Sequence, residues 1–492
     1  MDTSTAVKSS PGVSRALDHL IPAKPWQRLL VLGLLLLLSL SMYGVLISVA
    51  PQPDAPDRAF VLFWALCLLP YFAACAFILV TRPLQGRWSW VELSCILLGA
   101  FIFRIMLLPL PPGLSRDVWR YLWDARVIVH GYSPYVYAPG VKVLIPLRNI
   151  VFMNTRFRNI LTDYPPGAEE IFVLGYLLSP QNIIGIKGLF VLFDTITCGT
   201  LSWFLVKKGH DPRSVIFYAW CPLVIVEFAV EGHSDVMAVM FMVLALVAAN
   251  SSKPGGRILT GFFIGMATLT RIYPLLLLPA IMRRRDWTLP VTCFLTIFLG
   301  YLPFIILGHG NVFGFFLTYA GQQGGNAGIV QQLVRWICHL FGINMATTTL
   351  IEYGVDVMLV ATLSLVVLVL RSRERIDMPM AVLLLILLVF SLSSHIYPWY
   401  VPALLPPVAL QTGALKVDKL FNVQKLIISL AWFYVCIVQS GYISVGVPGS
   451  TSNWIAGYAV TYGGIAMIWL GVAVVIGCIY FLAFAKNKAH SE

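Results

Sequence analysis

The stretch ILTGFFIGMATLTRIYPLLLLPAIM, residues 258–282, carries a single charge, Arg271, and is flanked by Lys253 and Arg257 on one side and Arg283 to Arg285 on the other. Apolar runs bounded by Lys and Arg read as membrane segments whose basic flanks stay on the cytosolic side. One spanning helix puts its ends on opposite faces, so this run must enter and return. Pro274 supplies the reason: it has no N–H to give a helix and disfavours helical geometry in the residue before it. The run therefore reads as a hairpin of two short segments broken at TRIYP, Thr270 to Pro274. About twelve residues at ~1.5 Å each reach ~18 Å into a ~30 Å core, so thinning or burial against neighbours must make up the difference. Residues 379–412 repeat the design between Arg371, Arg373, Arg375 and Lys416, Lys419, with the break at SHIYP, Ser394 to Pro398.

The rest of the chain agrees with a bilayer setting. Its 492 residues are 59% hydrophobic and 11% charged, where a soluble domain is about 45–50% apolar and about 25% charged. Apolar runs near 31–49, 59–81, 91–110, 184–206, 213–230, 236–250, 288–307, 349–370, 424–445 and 458–483 read as helices. With the two hairpins they predict an all-α polytopic membrane protein of about 11–14 transmembrane segments. Residues 28–485 form one integral domain. A cytosolic tail, 1–27, precedes an uncleaved anchor, and a second cytosolic tail closes the chain at 486–492. The net charge of +12 sits in short loops between apolar runs, which argues against a nucleic-acid partner. The nine cysteines form no CxxC pair, so neither zinc nor a disulfide framework is expected.

One loop departs from the inside bias. Residues 111–183 carry most of the basic residues placed outside, and a loop of this length is translocated regardless of charge. It contains GLSRDVWRYLWDARVIVHGYSPY, 113–135, whose residues 115–129 read as a helix with Ser115 as its cap. Asp117, Arg120, Tyr121 and Asp124 share one face; Trp119 and Trp123 lie beside it as headgroup-level aromatics. DYPPGAEEIFVLGYLL, 163–178, reads as a second helix, interfacial or re-entrant. Arg104 and Lys187 are expected to snorkel.

The polar face either neutralises itself on a wet helix or performs chemistry. A carboxylate at the outer boundary can accept a proton from a hydroxyl, and cations beside it can hold a phosphate. Those are the needs of glycosyl transfer from a lipid-linked sugar phosphate, whose phosphate already leaves well and demands no general acid. Asp117 is the candidate base. Arg271, in one hairpin break, and His395, in the other, are candidate phosphate ligands; a centrally buried cation costs ~2.5–3.5 kcal/mol or more, so Arg271 should face a polar space. Glu231, His233 and Asp235 in VEGHSD are expected to bind acceptor hydroxyls or orient the loop. Arg120, Tyr121, Asp124, Arg126, Tyr164, Tyr273 and Tyr397 complete the expected substrate-binding set.

The segments SRDVWRYLWDARVIVHGYSPYVYAP, DYPPGAEEIF, EGHSDVMAVMFMVLAL, TRIYPLLLLP and HIYPWYVPALLP occur in that order across roughly residues 91–412. Together they resemble the bacterial polyprenol-phosphate-mannose-dependent mannosyltransferases of the GT-C superfamily, proteins like those of glycosyltransferase family 87. The resemblance implies a first large external loop with a catalytic Asp, a polyprenyl-phosphate sugar donor, a glycan or lipid-linked acceptor, inversion at the anomeric carbon, and a bacterial cytoplasmic membrane. The family pattern has two adjacent acidic residues where this chain has Arg116 and Asp117, and Gly where it has Ala125. Asp117 is then the retained base, and chemistry without a metal or other cofactor is expected. The alternative from another class is a transporter or flippase for a lipid-linked sugar or other polar solute, which would also use broken helices and midplane charges.

Overall fold

The computed structural model describes residues 24–50, 58–253, 255–283, 285–314, 329–392, 397–414 and 423–438. The expected helix at 458–483, His395, the expected C-terminal tail at 486–492 and residues 1–23 of the N-terminal tail lie outside them. All the regular structure among the described residues is helical, as hydrocarbon requires of a chain whose backbone groups must pair within their own segment. Six helices are long and apolar enough to cross a membrane: Pro25–Ser48, Ala59–Val80, Arg87–Leu107, Ile184–Lys207, Thr288–Leu307 and Met345–Ser372. Shorter apolar helices occupy Asp235–Ala249, Met378–Leu392 and Val423–Val438.

The first hairpin breaks where Pro274 places it. A helix runs Gly256–Thr268, the chain turns through Leu269 to Ile272, and a 3-10 turn, Tyr273–Leu276, leads into a short helix, Leu277–Ile281. The second hairpin runs Met378–Leu392, then Pro398–Leu404 and Leu405–Ala414.

The run at 213–230 is not one helix. Pro212–Ala219 and Pro222–Val230 meet at a 57° bend, because Pro222 cannot donate into the preceding turn. Side chains take carbonyls around the break: Tyr71 Oη donates to Phe217 at 2.8 Å and Trp64 Nε1 to Pro222 at 3.0 Å. The last turn of this element, Val226–Val230, is π-helical.

Arg104 and Lys187 do not snorkel. Arg104 Nε lies 2.6 Å from Asp194 Oδ2, both side chains 1% exposed, and its Nη1 donates to the carbonyls of Ala100 and Ala219. Pairing with these added hydrogen bonds offsets much of the cost of a buried charge. Lys187 Nζ donates to the carbonyls of Leu108 and Leu110 at 2.8 and 2.6 Å. At the far end of the bent element, Arg213 binds Asp211 at 2.7 Å, Glu92 at 3.2 Å and the carbonyl of Thr81 at 2.7 Å.

The 111–183 loop folds into a packed cap. Its first helix, Asp117–Val129, lies against its second, Pro166–Leu178, with Tyr121 stacked on Phe172 at 4.3 Å. Trp123 is wholly buried, 5.1 Å from Phe152, so it is core and not a headgroup anchor. The second loop helix is buried from Pro166 to Glu169 and exposes Leu174, Leu177 and Leu178, as a helix docked at one end and facing lipid at the other would. Ala168 N–H donates to the Leu269 carbonyl at 3.0 Å, which ties the cap to the first hairpin break.

Small residues let the first hairpin seat against Thr288–Leu307. A Cβ on Gly261 would lie 2.6 Å from the Leu289 carbonyl, and one on Gly265 would lie 2.7 Å from Thr296 Cβ. The two form the GxxxG spacing that brings helix backbones together in membranes. Gly265→Leu should lower the thermal midpoint of the purified protein in detergent, since overpacking costs about 1–3 kcal/mol. Gly188→Leu, where an added side chain meets nothing within 4 Å, should leave that midpoint unchanged.

Candidate functional site

Five pieces of chain converge on one polar cluster: the start of the first loop helix, the Asp163–Tyr164 segment, the turn at 231–235, the first hairpin break, and residues 397–400 of the second. Asp117 opens the first loop helix, its amide donating to Ser115 Oγ at 3.2 Å. The helix begins one residue later than Ser115 capping requires, with Arg116 at the cap position. A carboxylate in a first turn is favoured by the unpaired amides there. Asp117 is half-buried, so it is reachable.

Arg271 sits in the first hairpin break, 8% exposed. Its Nη2 donates to Asp235 Oδ2 at 2.9 Å and Ser234 Oγ at 3.2 Å. Its guanidinium lies over the Tyr164 ring at 4.9 Å and the Tyr400 ring at 5.4 Å, an arrangement that stabilises a desolvated cation. Arg271 Nε, Asp235 Oδ1 and Tyr273 Oη have no hydrogen-bond partner among the described residues. Asp163, half-buried beside this group, feels both Arg271 and Asp117; burial drives its carboxyl above the usual range, against the pull of Arg271 and Arg120.

The 231–235 turn contributes His233, which has no exposed surface. Its Nδ1 lies 2.7 Å from Glu227 Oε2, on the π-helical turn. A π turn inserts an extra residue and so re-aims the side chains after it. The imidazole stacks on Trp399 at 4.1 Å, and Trp399 on Tyr397 at 4.7 Å, so three rings lie nearly parallel. Burial works against the protonated imidazole, but the Glu227 carboxylate more than offsets it and raises the His233 pKa.

Several expected ligands are engaged elsewhere. Arg120 binds both oxygens of Asp124 at 2.8 Å and the carbonyls of Phe157 and Ile160 at 3.2 and 3.0 Å. It frames the cap. Arg126 donates to the Leu147 carbonyl and to Tyr176 Oη. Glu231 accepts from the amides of Gly113, Leu114 and Ser115, so its oxygens face backbone. Tyr121 lies between Phe172 and Tyr164. Tyr273 meets Tyr400 at 5.9 Å. Behind them, Thr162 Oγ1 donates to Glu169 Oε1 at 2.7 Å, and burial holds the Glu169 carboxyl well above its ordinary pKa.

Asp163, Glu227, Ser234, Trp399 and Tyr400 belong to the cluster although the sequence reading did not single them out. Glu227 was findable: it is an acid inside the apolar run LVIVEFAV, and such residues are usually functional. Asp163 lies within the DYPPG motif already quoted. Among the described residues no group of three or more His, Cys, Asp or Glu is placed to hold a metal ion.

The model of glycosyltransferase family 87 matches residues 162–394. The match takes in Asp163, the 231–235 turn and Arg271, and begins after Asp117. No curated protein sequence matches the chain. Among solved structures, ArnT from Cupriavidus metallidurans bound to undecaprenyl phosphate is similar at 15% identity over 77% of this chain and 76% of that one, with a TM-score of 0.43. The same protein in the apo state gives 16%, 78%, 76% and 0.38. Three of the five quoted motifs lie within that match: over residues 162–394 this membrane-embedded chain, helical in all the regular structure described, has the sequence pattern of glycosyltransferase family 87.

Proposed function

We propose that this protein transfers a hexose, mannose by resemblance, from a polyprenyl phosphate to a glycan or lipid-linked acceptor on the outer face of the membrane, with inversion at the anomeric carbon. The observation that carries the reading is that a reachable carboxylate and a buried guanidinium flank the same pair of rings: Asp117 lies one helical turn before Tyr121, the Tyr121 ring meets Tyr164 at 4.9 Å, and the Arg271 guanidinium lies over Tyr164 at 4.9 Å.

In the proposed reaction Asp117 takes the proton from an acceptor hydroxyl as its oxygen forms the new bond to the sugar C1. The bond from C1 to the phosphate oxygen breaks, and its electron pair leaves with the polyprenyl phosphate. The Arg271 guanidinium, whose buried Nε has no partner among the described residues, offsets the charge developing on that phosphate. The proton then passes from Asp117 to water. One displacement at C1 inverts it, so a single base suffices. The Trp399 and Tyr397 rings, backed by the buried His233 imidazole, form a stack beside the Arg271 cluster. His395 is kept as a second phosphate ligand of the proposal; it lies outside the described residues.

Sidedness belongs to the proposal too: the cap outside, both termini inside. It is supported by the basic residues around Arg213, Lys207 and Lys208 at the end of the bundle away from the cap.

In membranes given labelled polyprenyl-phosphate mannose and a glycan acceptor, Asp117→Asn should cut transfer by roughly 10²–10⁴-fold with the thermal midpoint retained. Normal turnover by that variant overturns the base assignment, and movement of the labelled lipid across vesicles without transfer supports the transporter alternative. Arg271→Gln should weaken donor binding more than acceptor binding, read from the two KM values. For sidedness, Met153→Cys, at a position 66% exposed on the cap, should react with a membrane-impermeant thiol reagent in intact cells; labelling only after lysis would put the cap inside.

A further inference from the structure

The segment that delivers Asp117, residues 108–118, buries Leu110, Leu114 and Val118 in the core, and its backbone is gripped by groups far away in sequence. Glu231 has no exposed surface. Its Oε2 accepts from the amides of Leu114 at 3.0 Å and Ser115 at 2.9 Å, and its Oε1 faces the amide of Gly113 at 3.3 Å. Three consecutive amides on one carboxylate make a strong, directional anchor, since bonds to a charged acceptor are roughly twice as strong as neutral ones. Gly232 comes next with φ +70°, and a Cβ there would lie 3.1 Å from Val118 Cγ2 and 3.1 Å from Lys187 Cγ. The turn is therefore pressed against the residue after Asp117. From the other side Lys187 Nζ takes the carbonyls of Leu108 and Leu110.

We infer that Glu231, backed by Gly232 and Lys187, is a positioning clamp that sets where the Asp117 carboxylate stands, and not a ligand for the acceptor. The inference rests on the reading of Asp117 as the base and assigns a task to a residue that the base needs but substrate does not touch. Because the clamp grips amides, it works whatever side chains the 113–115 segment carries. The groups facing Glu231 are Lys187 from Ile184–Lys207, and His233 and Glu227 from its own turn and the π turn before it. Burial, opposed by those amides and by His233, pushes the Glu231 carboxyl up to about 7. Above that pH the anion grips the amides; below it the neutral acid accepts them less well, and the rate should fall.

Glu231→Gln keeps the shape and removes the charge. It should lower kcat by roughly 10- to 100-fold, as a displaced catalytic group does, leave both KM values unchanged, and abolish the loss of rate on the acid side of pH 7. Gly232→Ala, which strains the turn against Val118, should reproduce the kcat loss with unchanged KM values, and it carries the test if the Gln variant does not fold. A raised acceptor KM with unchanged kcat would make Glu231 a substrate ligand and overturn the clamp, as would full activity in both variants. The underlying reading fails separately: an active Asp117→Asn removes the base, whereas an inactive Asp117→Asn beside fully active Glu231→Gln and Gly232→Ala removes only the clamp.

Discussion

A guanidinium placed inside a membrane domain must be paired, and the architecture around Arg271 is what pairing it takes. Asp235 supplies the counter-charge at 2.9 Å from the start of its own helix, where the free amides favour an acid. The rings of Tyr164 and Tyr400 cover the planar faces. Arg271 lies in the turn after the helix Gly256–Thr268, and the end of that helix frees carbonyls that hydrocarbon cannot satisfy. One of these, on Leu269, is taken by the Ala168 amide of the cap. A Cβ on Gly167 would lie 2.8 Å from Leu269 Cβ, so glycine is what lets the two backbones come close enough. The break that accommodates the cation is thus also the socket that docks the cap and delivers Asp163 and Tyr164.

Not every arginine in the cap has this character, and the difference lies in what is left over. Arg120 gives Nε to both oxygens of Asp124 and its remaining nitrogens to two carbonyls. A side chain so fully engaged can fix loops but has nothing to offer a ligand without unfolding its surroundings. Arg271 is held firmly at Nη2 and keeps Nε without a partner among the described residues. That leaves Arg271 with donor capacity that Arg120 has already committed.

The sequence disclosed the parts of the fold that arise from local rules. Both breaks were legible because Pro274 and Pro398 each interrupt an apolar run. The two loop helices were legible from periodicity and from the PPG start at Pro165 to Gly167. Pairings across the chain were not. Arg104 reads as a snorkelling cation until Asp194, ninety positions on, is seen to meet it at 2.6 Å. Trp123 reads as a headgroup anchor because aromatic content alone does not distinguish a lipid-facing ring from one packed on Phe152. Of the proposed site, Asp117 and Arg271 stand out as charges beside apolar runs. Glu231 was visible as a polar residue in a turn, but its partners are main-chain amides 116 to 118 positions earlier, and amides leave no mark in a sequence. The bend at Pro222 was overlooked for a related reason: its carbonyls are satisfied by Trp64 and Tyr71 from another helix, so hydropathy runs through it without a dip.

The two IYP breaks, which look like an idle repetition in the sequence, turn out to need each other. Neither broken run contains a helix long enough to cross ~30 Å of hydrocarbon comfortably, and each leaves irregular backbone between its helices. Placed apart, each would expose that backbone to lipid. Placed together they share one interior: Tyr273 from the first break lies 5.9 Å from Tyr400 of the second, and Arg271 lies under the same ring. The second break continues through Tyr397 and Trp399 to His233, so the 231–235 turn is drawn into the same space and brings Asp235 to Arg271. Irregular backbone at membrane depth is tolerated where it lines a protein-enclosed polar space, and here each break encloses the other.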